Sequence, residues 1–154
     1  LLIALDAVPV ARACTNAALH LVGGALDANG VLGGPQALAS LLLHPVSLFA
    51  VEADGIRNDA AMLHGLPPGH GEAFATGAAE RAARTAVLLT GRGTGPAASA
   101  PSLPLFLVSD LLPANAPDAN TEAALQRAGL ERDGGTSRFR ANGRRGREHG
   151  RSAA

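Results

Sequence analysis

The large apolar residues of this 154-residue chain are distributed unevenly, and this limits which parts of it can form a core. Leu, Ile, Val, Phe and Met number 38 in total, and only three of them, Leu125, Leu130 and Phe139, lie beyond residue 112. Alanine accounts for 33 of the residues in the 47% apolar fraction, and each alanine gains little free energy from burial. The material for a hydrophobic core is therefore concentrated in the first three quarters of the chain.

This distribution predicts three segments of different character. Residues 1–112 are long enough for one small body. Residues 113–132 begin with Pro, Ala, Asn and Asp and contain one short helical pattern that ends before a glycine, which indicates a linker. Residues 133–154 are polar and rich in arginine and glycine, so we expect a disordered tail. Three large apolar residues cannot offset the entropy of ordering residues 113–154, and we expect this quarter not to pack on the body.

Within residues 1–112, apolar runs alternate with short patterns that are rich in alanine and leucine. Leu38, Leu41 and Leu42 recur at intervals of three and four, which predicts a helix over residues 36–44 after Pro35. Further helices are predicted over 11–22, 58–65 and 72–86, strands over 1–10, 46–51, 87–90 and 103–108, and a turn at 54–55. The alternation indicates a small α/β fold with three to four short strands between short helices.

The charged residues provide no strong overall attraction to polyanions. Thirteen acidic residues balance thirteen basic residues, so no net field draws the chain to nucleic acid or to an anionic membrane. All thirteen bases are arginine, lysine and tyrosine are absent, and glycine, proline and alanine are abundant. This composition resembles open reading frames in GC-rich genomes, including frames opposite to or out of phase with another gene. The leading interpretation is a small protein, or a conceptual translation of such a frame, with no identifiable biochemical activity and no cofactor; the sequence leaves enzyme activity open but favours its absence.

A glycine-rich stretch follows the strand predicted over 87–90. Thr90, Gly91, Gly93 and Gly95 are the candidate cofactor-binding residues, because bare backbone amides can approach a phosphate closely. The segment T-G-R-G-T-G resembles the T-G-x-x-x-G-x-G turn of the short-chain dehydrogenases. The resemblance implies a fragment of an NAD(P)-dependent dehydrogenase-like protein.

The resemblance covers eight residues and departs from the family pattern. Ala97 stands in place of the third glycine, and Pro96, Pro101 and Pro104 interrupt the region where the family has a long helix. The catalytic tyrosine of the family has no counterpart, because the chain contains no tyrosine. Asp110 lies about 20 residues after the turn, at the spacing of an acid that binds a ribose. We expect a surface loop here and no tight dinucleotide binding.

A second candidate is a metal site formed by His64, His70 and Glu72 in the segment H-G-L-P-P-G-H-G-E. Imidazole and carboxylate groups suit zinc, and a catalytic zinc site needs about three protein ligands. The spacing matches no rigid motif, because the Pro-Pro-Gly between the histidines fixes neither side chain on a helix face. An exposed loop is the alternative. No serine lies in a G-x-S-x-G motif, and no catalytic residue is predicted.

A third candidate is a nucleic-acid-binding segment near the C-terminus. Residues 138–151 contain six arginines and one acidic residue, Glu148. Arginine in a glycine-rich segment can pair with phosphates and stack on bases, and the segment resembles RG-rich RNA-binding tails. The predicted contact residues are Arg138, Arg140, Arg144, Arg145, Arg147 and Arg151. The alternative is a solvated tail with no partner.

The cysteine content and the lengths of the apolar stretches indicate the cellular compartment of the protein. The single cysteine, Cys14, excludes an internal disulfide, which suits a reducing compartment, and we expect a cytoplasmic protein. The longest apolar stretch, residues 37–51, is interrupted by polar residues and is shorter than the roughly 20 residues that a membrane span requires. We therefore expect no association with a membrane.

Overall fold

The computed structural model describes residues 9, 13, 23–26, 28, 30–66, 69–91 and 100–142, and for His70 it describes the backbone only. These residues form nine strands and three α-helices. The strand predicted over 1–10 and the helix predicted over 11–22 fall outside this part of the chain, except at Pro9 and Ala13.

The main sheet contains seven strands, with three parallel strands among them. The strands are β3 (Leu48–Arg57), β4 (Ala60–Leu63), β5 (Arg84–Leu89), β6 (Ser102–Pro104), β7 (Asp110–Pro113), β8 (Leu130–Arg132) and β9 (Phe139–Ala141). Their order across the sheet is β6-β4-β3-β5-β7-β9-β8. β3, β5 and β7 run parallel, and the other strands pair antiparallel on both sides of them. A separate antiparallel pair consists of β1 (Ala25–Leu26) and β2 (Leu32–Gly33).

The described helices are α1 (Pro35–Leu42), α2 (His70–Arg81), α3 (Ala119–Arg127) and a 3-10 helix (Leu105–Leu107). α1 begins with Pro35, where the missing N–H costs nothing. α3 begins at a cap in which the Asp118 carboxylate accepts a hydrogen bond from the Thr121 N–H at 2.7 Å. It ends before Gly129, whose φ of 78° is a left-handed conformation that favours glycine. No helix in the described part of the chain is long and apolar enough to cross a membrane.

These helices pack on one face of the main sheet. The largest core cluster joins Val87 of β5 to Ala79 of α2 and to Leu125 of α3. A second cluster packs α1 against α2 around Phe74 and contacts Phe49 of β3. A single layer of helices therefore covers this face.

The opposite face of the main sheet, here called the open face, carries exposed side chains. Because side chains alternate along a strand, Leu48 and Glu52 of β3, Leu88 of β5 and Leu112 of β7 lie on this side. Each of the four is exposed. The described helices leave this face uncovered.

The α/β class predicted from the sequence is confirmed, but the structure contains more strands than the three to four expected. The helix predicted over 58–65 is wrong, because Asn58 and Asp59 adopt left-handed φ angles of 49° and 57° and form the turn between β3 and β4. Asp54 and Gly55 do not form a turn, and lie within β3 at a bulge in its pairing with β4. Asn, Asp and Gly suit both turns and helix ends, so their identity alone does not distinguish these structures.

The helix predicted over 72–86 is shorter in the structure. α2 ends at Arg81, and Ala82 is extended, with φ −71° and ψ 138°. Ala82 and Ala83 connect α2 to β5, and residues 84–86, at the end of the predicted helix, belong to β5 because pairing with β3 and β7 satisfies the backbone groups of this strand. Tertiary pairing thus overrides the local helix propensity of this segment.

The segment beyond residue 112 differs from the expected linker and tail. α3 agrees with the one short helix predicted in this segment, but β7 spans the expected boundary, and β8 and β9 join the main sheet. Leu125, Leu130 and Phe139 are each no more than 2% exposed and belong to the main core. These three side chains are enough to order the segment because they pack against apolar side chains from the rest of the sheet, and because β9 pairs with β7. Residues 143–154, the remainder of the expected tail, lie outside the described residues.

We expect Phe139→Ala to lower the free energy of unfolding by about 3–5 kcal/mol, because it leaves a cavity in a packed core. Phe106→Ala is the matched control. Phe106 is 62% exposed, so its truncation should cost about 0.5 kcal/mol or less. Urea denaturation followed by circular dichroism measures both variants, and equal effects would contradict the packing of β9.

Candidate functional site

Thr90 and Gly91 lie at the carboxyl end of β5, the middle strand of the parallel group. Thr90 donates to the carbonyl oxygen of Ala53 from its N–H at 2.9 Å and from its hydroxyl at 3.3 Å. A Cβ atom added at Gly91 would lie 1.6 Å from the carbonyl oxygen of Asp54, so only glycine fits there. Open α/β sheets bind ligands at this end of their parallel strands. The position suits a binding loop, although the two later glycines of the motif lie outside the described residues.

The structure beyond Gly91 differs from the short-chain dehydrogenase pattern. Only residues 92–99 separate Gly91 from the next described residue, and Ser102–Pro104 is strand β6, which pairs with β4. This leaves no room for the long helix that the resemblance implies. Asp110 begins β7 and pairs with Ala86 near the start of β5. It therefore lies towards the amino end of the parallel strands, away from Gly91, where it cannot serve as the ribose-binding acid.

His64 follows β4 and forms an ion pair with Asp54. The Nδ1 atom of His64 lies 2.9 Å from Oδ1 of Asp54, and the two side chains are 58% and 35% exposed. The hydrogen bond to Asp54 and the negative charge of that carboxylate raise the pKa of His64 above its ordinary value. Partial burial opposes this shift, and the charge of Glu52 adds to it. The His64 side chain thus lies near the carboxyl end of β5, and its contact with Asp54 favours the protonated imidazolium form of the ring.

Glu72 contacts the edge strand of the sheet. Its Oε1 atom accepts a hydrogen bond from the hydroxyl of Ser102 at 2.8 Å and another from the Ser102 N–H at 3.4 Å. Among the described residues, no group of three or more His, Cys, Asp and Glu side chains could hold a metal ion. The side chain of His70 is not described. Of the predicted zinc ligands, His64 is thus paired with Asp54, and Glu72 with Ser102.

The one fully buried charged side chain in the described part of the chain is Asp110, at 2% exposure. Its Oδ2 atom accepts hydrogen bonds from Nη2 and Nε of Arg84, at 2.6 and 3.2 Å. Its Oδ1 atom accepts from Nη2 and Nε of Arg138, at 2.5 and 3.0 Å. Arg140 lies 3.5 Å from Oδ1 and also 3.5 Å from a carboxylate oxygen of Asp133. These contacts, here called the Asp110 cluster, connect β5, β7 and β9.

The arginines of this cluster keep Asp110 ionised. Burial is the largest single influence on the pKa of Asp110 and would raise it. The hydrogen bonds and positive charges of Arg84 and Arg138 together outweigh burial, and they place the pKa below its ordinary value. Both carboxylate oxygens are satisfied by guanidinium groups, which is the condition under which a buried charge is tolerated.

Two of the six arginines predicted to bind nucleic acid belong to this cluster. Arg138 and Arg140 contact Asp110, Arg140 also contacts Asp133, and Glu131 pairs with Arg140 across β8 and β9. Carboxylates therefore balance the positive charges of these two arginines. The other four predicted arginines lie outside the described residues.

Comparison of the chain with protein families, with curated proteins and with solved structures found no match. Two arrangements are available in the described part of the chain: the carboxyl-end site around Thr90 and His64, and the Asp110 cluster.

We expect His64 to titrate above its ordinary pKa of about 6.5, because the protonated imidazole is stabilised by Asp54. Asp54→Asn should lower this pKa, and Asp59→Asn, an acid outside the pair, should leave it unchanged. Because folding raises the pKa of His64, the pair contributes its full stabilisation at pH values below the unfolded-state pKa. This contribution is lost as the pH rises through the folded-state pKa. NMR titration of the His64 ring measures the pKa, and an equal value in the Asp54→Asn variant would contradict the pair.

Asp110→Asn should lower the free energy of unfolding by about 2 kcal/mol at neutral pH, because it removes the charge-assisted hydrogen bonds that Arg84 and Arg138 donate to a buried carboxylate, while both guanidinium groups remain in contact with water. Asp59→Asn is the matched control: Asp59 pairs with Arg127 at 3.2 Å, and both side chains are more than half exposed, so its loss should cost less than about 1 kcal/mol. Because the pKa of Asp110 is lowered in the folded state, its contribution is present above the unfolded-state pKa and is lost as the pH falls through the folded-state pKa. Urea denaturation should therefore show wild type and Asp110→Asn converging in acid, and a constant difference at every pH would contradict this.

Proposed function

We propose that the protein binds nucleic acid through the arginine-rich segment that follows Asn142. This segment, residues 143–154, contains one acidic residue and four arginines, which are Arg144, Arg145, Arg147 and Arg151. Guanidinium groups donate two hydrogen bonds to one phosphate and stack on bases. The ligand class that fits such a segment is a phosphate backbone, read through its charge and not through its sequence.

The observation that carries this proposal is a difference in charge balance along the chain. On the sheet, Arg84, Arg138 and Arg140 share their contacts with the carboxylates of Asp110 and Asp133. After Asn142, arginines outnumber acids by four to one. A polyanion gains most free energy where cations outnumber carboxylates, because its binding then releases counterions with fewer ion pairs to break. This assigns Arg138 and Arg140 a structural role and leaves nucleic-acid contact to the later arginines.

The body of the protein fixes the start of this segment. β9 lies between β7 and β8 in the sheet. Asn142, directly after β9, donates from its N–H to the carbonyl oxygen of Gly129 at 3.1 Å and from Nδ2 to Oε1 of Glu131 at 2.7 Å. A chain that ends at Asn142 therefore keeps these contacts while it lacks all four arginines.

The composition supports a second interpretation, in which the chain is the translation of a GC-rich reading frame without biochemical activity. Two features favour a chain that folds into a specific structure. Among the described residues, no buried side-chain nitrogen or oxygen lacks a hydrogen-bond partner, as in folded natural proteins. The buried Asp110 is also matched by arginines distant from it in sequence.

Fluorescence anisotropy with a labelled single-stranded RNA tests the proposal, with the full chain compared to a chain ending at Asn142 at low and moderate salt. The full chain should bind, and four phosphate contacts on a single strand predict a log–log salt slope of about −3. The chain ending at Asn142 should lose this binding while its circular dichroism and melting temperature stay unchanged.

A charge-matched pair of variants controls for net charge. Arg145→Ala should reduce the slope by about 0.7. Arg127→Ala removes the same charge from an exposed arginine paired with Asp59 and should leave the slope unchanged. Equal binding by the full and truncated chains would place the contacts on the sheet and contradict the proposal. If neither chain binds RNA, even at low salt, the interpretation that remains is a translated reading frame without biochemical activity.

A further inference from the structure

The open face of the main sheet is left uncovered by the described helices, although three of its interior strands are parallel. All-parallel sheets are almost always covered on both faces, since their crossover helices lie on both, whereas the described helices cover one face of this mixed sheet. On the open face, Leu48, Leu88 and Leu112 are 56%, 46% and 42% exposed. Leu88 and Leu112 are neighbours on adjacent strands, whereas Leu48 pairs with Arg84 towards the other end of β3. Adjacent exposed apolar side chains in the middle of a sheet indicate an interaction surface.

Four side chains form one row across this face. Glu52 of β3 pairs with Leu88 of β5, and Leu88 pairs with Leu112 of β7. Arg138 immediately precedes β9 and continues the row beside Leu112, because β7 and β9 pair antiparallel. The row therefore has a carboxylate at one end, two leucines in the middle and, at the other end, a guanidinium that is paired with Asp110 but is still 31% exposed.

We propose that the open face is the interface of a homodimer. The twofold axis of this dimer lies between the two sheets, runs parallel to the strands and passes midway between β5 and β7. It places the row of the second copy opposite the row of the first. It places Leu88 against Leu112 of the second copy, and Glu52 against Arg138 of the second copy. Each contact then occurs twice, as the symmetry of an isologous interface requires.

The side chains around this row permit the two sheets to approach. Ala50 of β3 pairs with Ala86 of β5 in the adjacent row, and small side chains there allow packed sheets to reach their usual separation of about 10 Å. Arg138 uses its Nε and Nη2 groups on Asp110. A guanidinium carries five N–H donors, so further donors are left for Glu52 of the second copy.

The charges of the open face favour a second copy over a polyanion. Among the described residues, the charged groups that strand alternation places around the row include three arginines and four carboxylates, which are Arg84, Arg138, Arg140, Glu52, Asp110, Glu131 and Asp133. These groups carry no excess of positive charge, so a nucleic acid gains little by binding to them. Opposite charges lie at opposite ends of the row, and a copy turned about the proposed axis supplies the complement of each.

Sedimentation velocity of the full chain, from micromolar to sub-millimolar concentration, tests the dimer. The wild type should form dimers. Leu88→Asp should raise the dissociation constant at least about tenfold, because it places a carboxylate in the apolar centre of the interface. Leu43→Asp is the control, since Leu43 is 80% exposed just after α1, on the helix-covered side, and its dissociation constant should match that of wild type. Glu52→Arg should weaken the dimer more than Glu52→Gln, because it opposes Arg138 of the second copy with a like charge.

Cross-linking locates the axis without disturbing the charged ends of the row. With Cys14→Ser as background, Leu88→Cys residues of two copies would lie about 11 Å apart and Ala50→Cys residues about 17 Å apart, from the strand and sheet spacings. A short bis-maleimide should therefore join Leu88→Cys chains much more efficiently than Ala50→Cys chains. A monomer at every concentration would overturn the proposal and leave the face to another occupant. Dimers that Leu88→Asp leaves unchanged, or efficient cross-linking through Ala50→Cys alone, would overturn it as well.

Discussion

The C-terminal third of the fold depends on the buried carboxylate of Asp110. It sits at the first position of β7 and accepts hydrogen bonds from Arg84, at the start of β5, and from Arg138, directly before β9. Burying a lone carboxylate is strongly unfavourable, so this position is stable only while both guanidinium groups are in place. The Asp110 cluster therefore couples the parallel centre of the sheet to the β8–β9 hairpin, and with it the burial of Leu130 and Phe139.

Local patterns in the sequence predict the elements that local interactions determine. The spacing of the leucines places α1, and Gly129 marks the end of α3. No local pattern in the sequence predicts the pairing of Leu111 with Phe139. The two residues are far apart in the chain, and a single phenylalanine among polar residues has no periodicity. For the same reason the sequence predicts the short helix of the segment beyond residue 112 but not the two strands, β8 and β9, that join the main sheet.

The candidate site residues are likewise visible in the sequence, whereas the contacts that they make depend on long-range pairing. Thr90 and Gly91 are recognisable as a loop, but the close approach that requires glycine at position 91 comes from the Asp54 backbone at the bulge of β3. His64 is recognisable as a titratable group, whereas its pairing with Asp54 follows from the antiparallel contact of β3 and β4. Arg138 appears in the sequence as part of a basic cluster, because a count of nearby charges cannot include a carboxylate 28 residues away. Charge density along the chain therefore overestimates the number of arginines available to a polyanion.

The two proposals concern different parts of the chain and are compatible. The proposed dimer uses the open face, where arginines and carboxylates balance, while nucleic-acid binding uses the arginines after Asn142, where they do not. A dimer would carry two such segments, each starting at β9 of its own copy. When one segment has bound a strand, the second binds the same strand intramolecularly, at an effective concentration set by the distance between the two segments. Weak contacts of about four arginines each would then add to a much tighter complex than either segment forms alone, without any new contact to the bases. Loss of the dimer would thus weaken binding to long strands and leave binding to strands that reach only one segment unchanged.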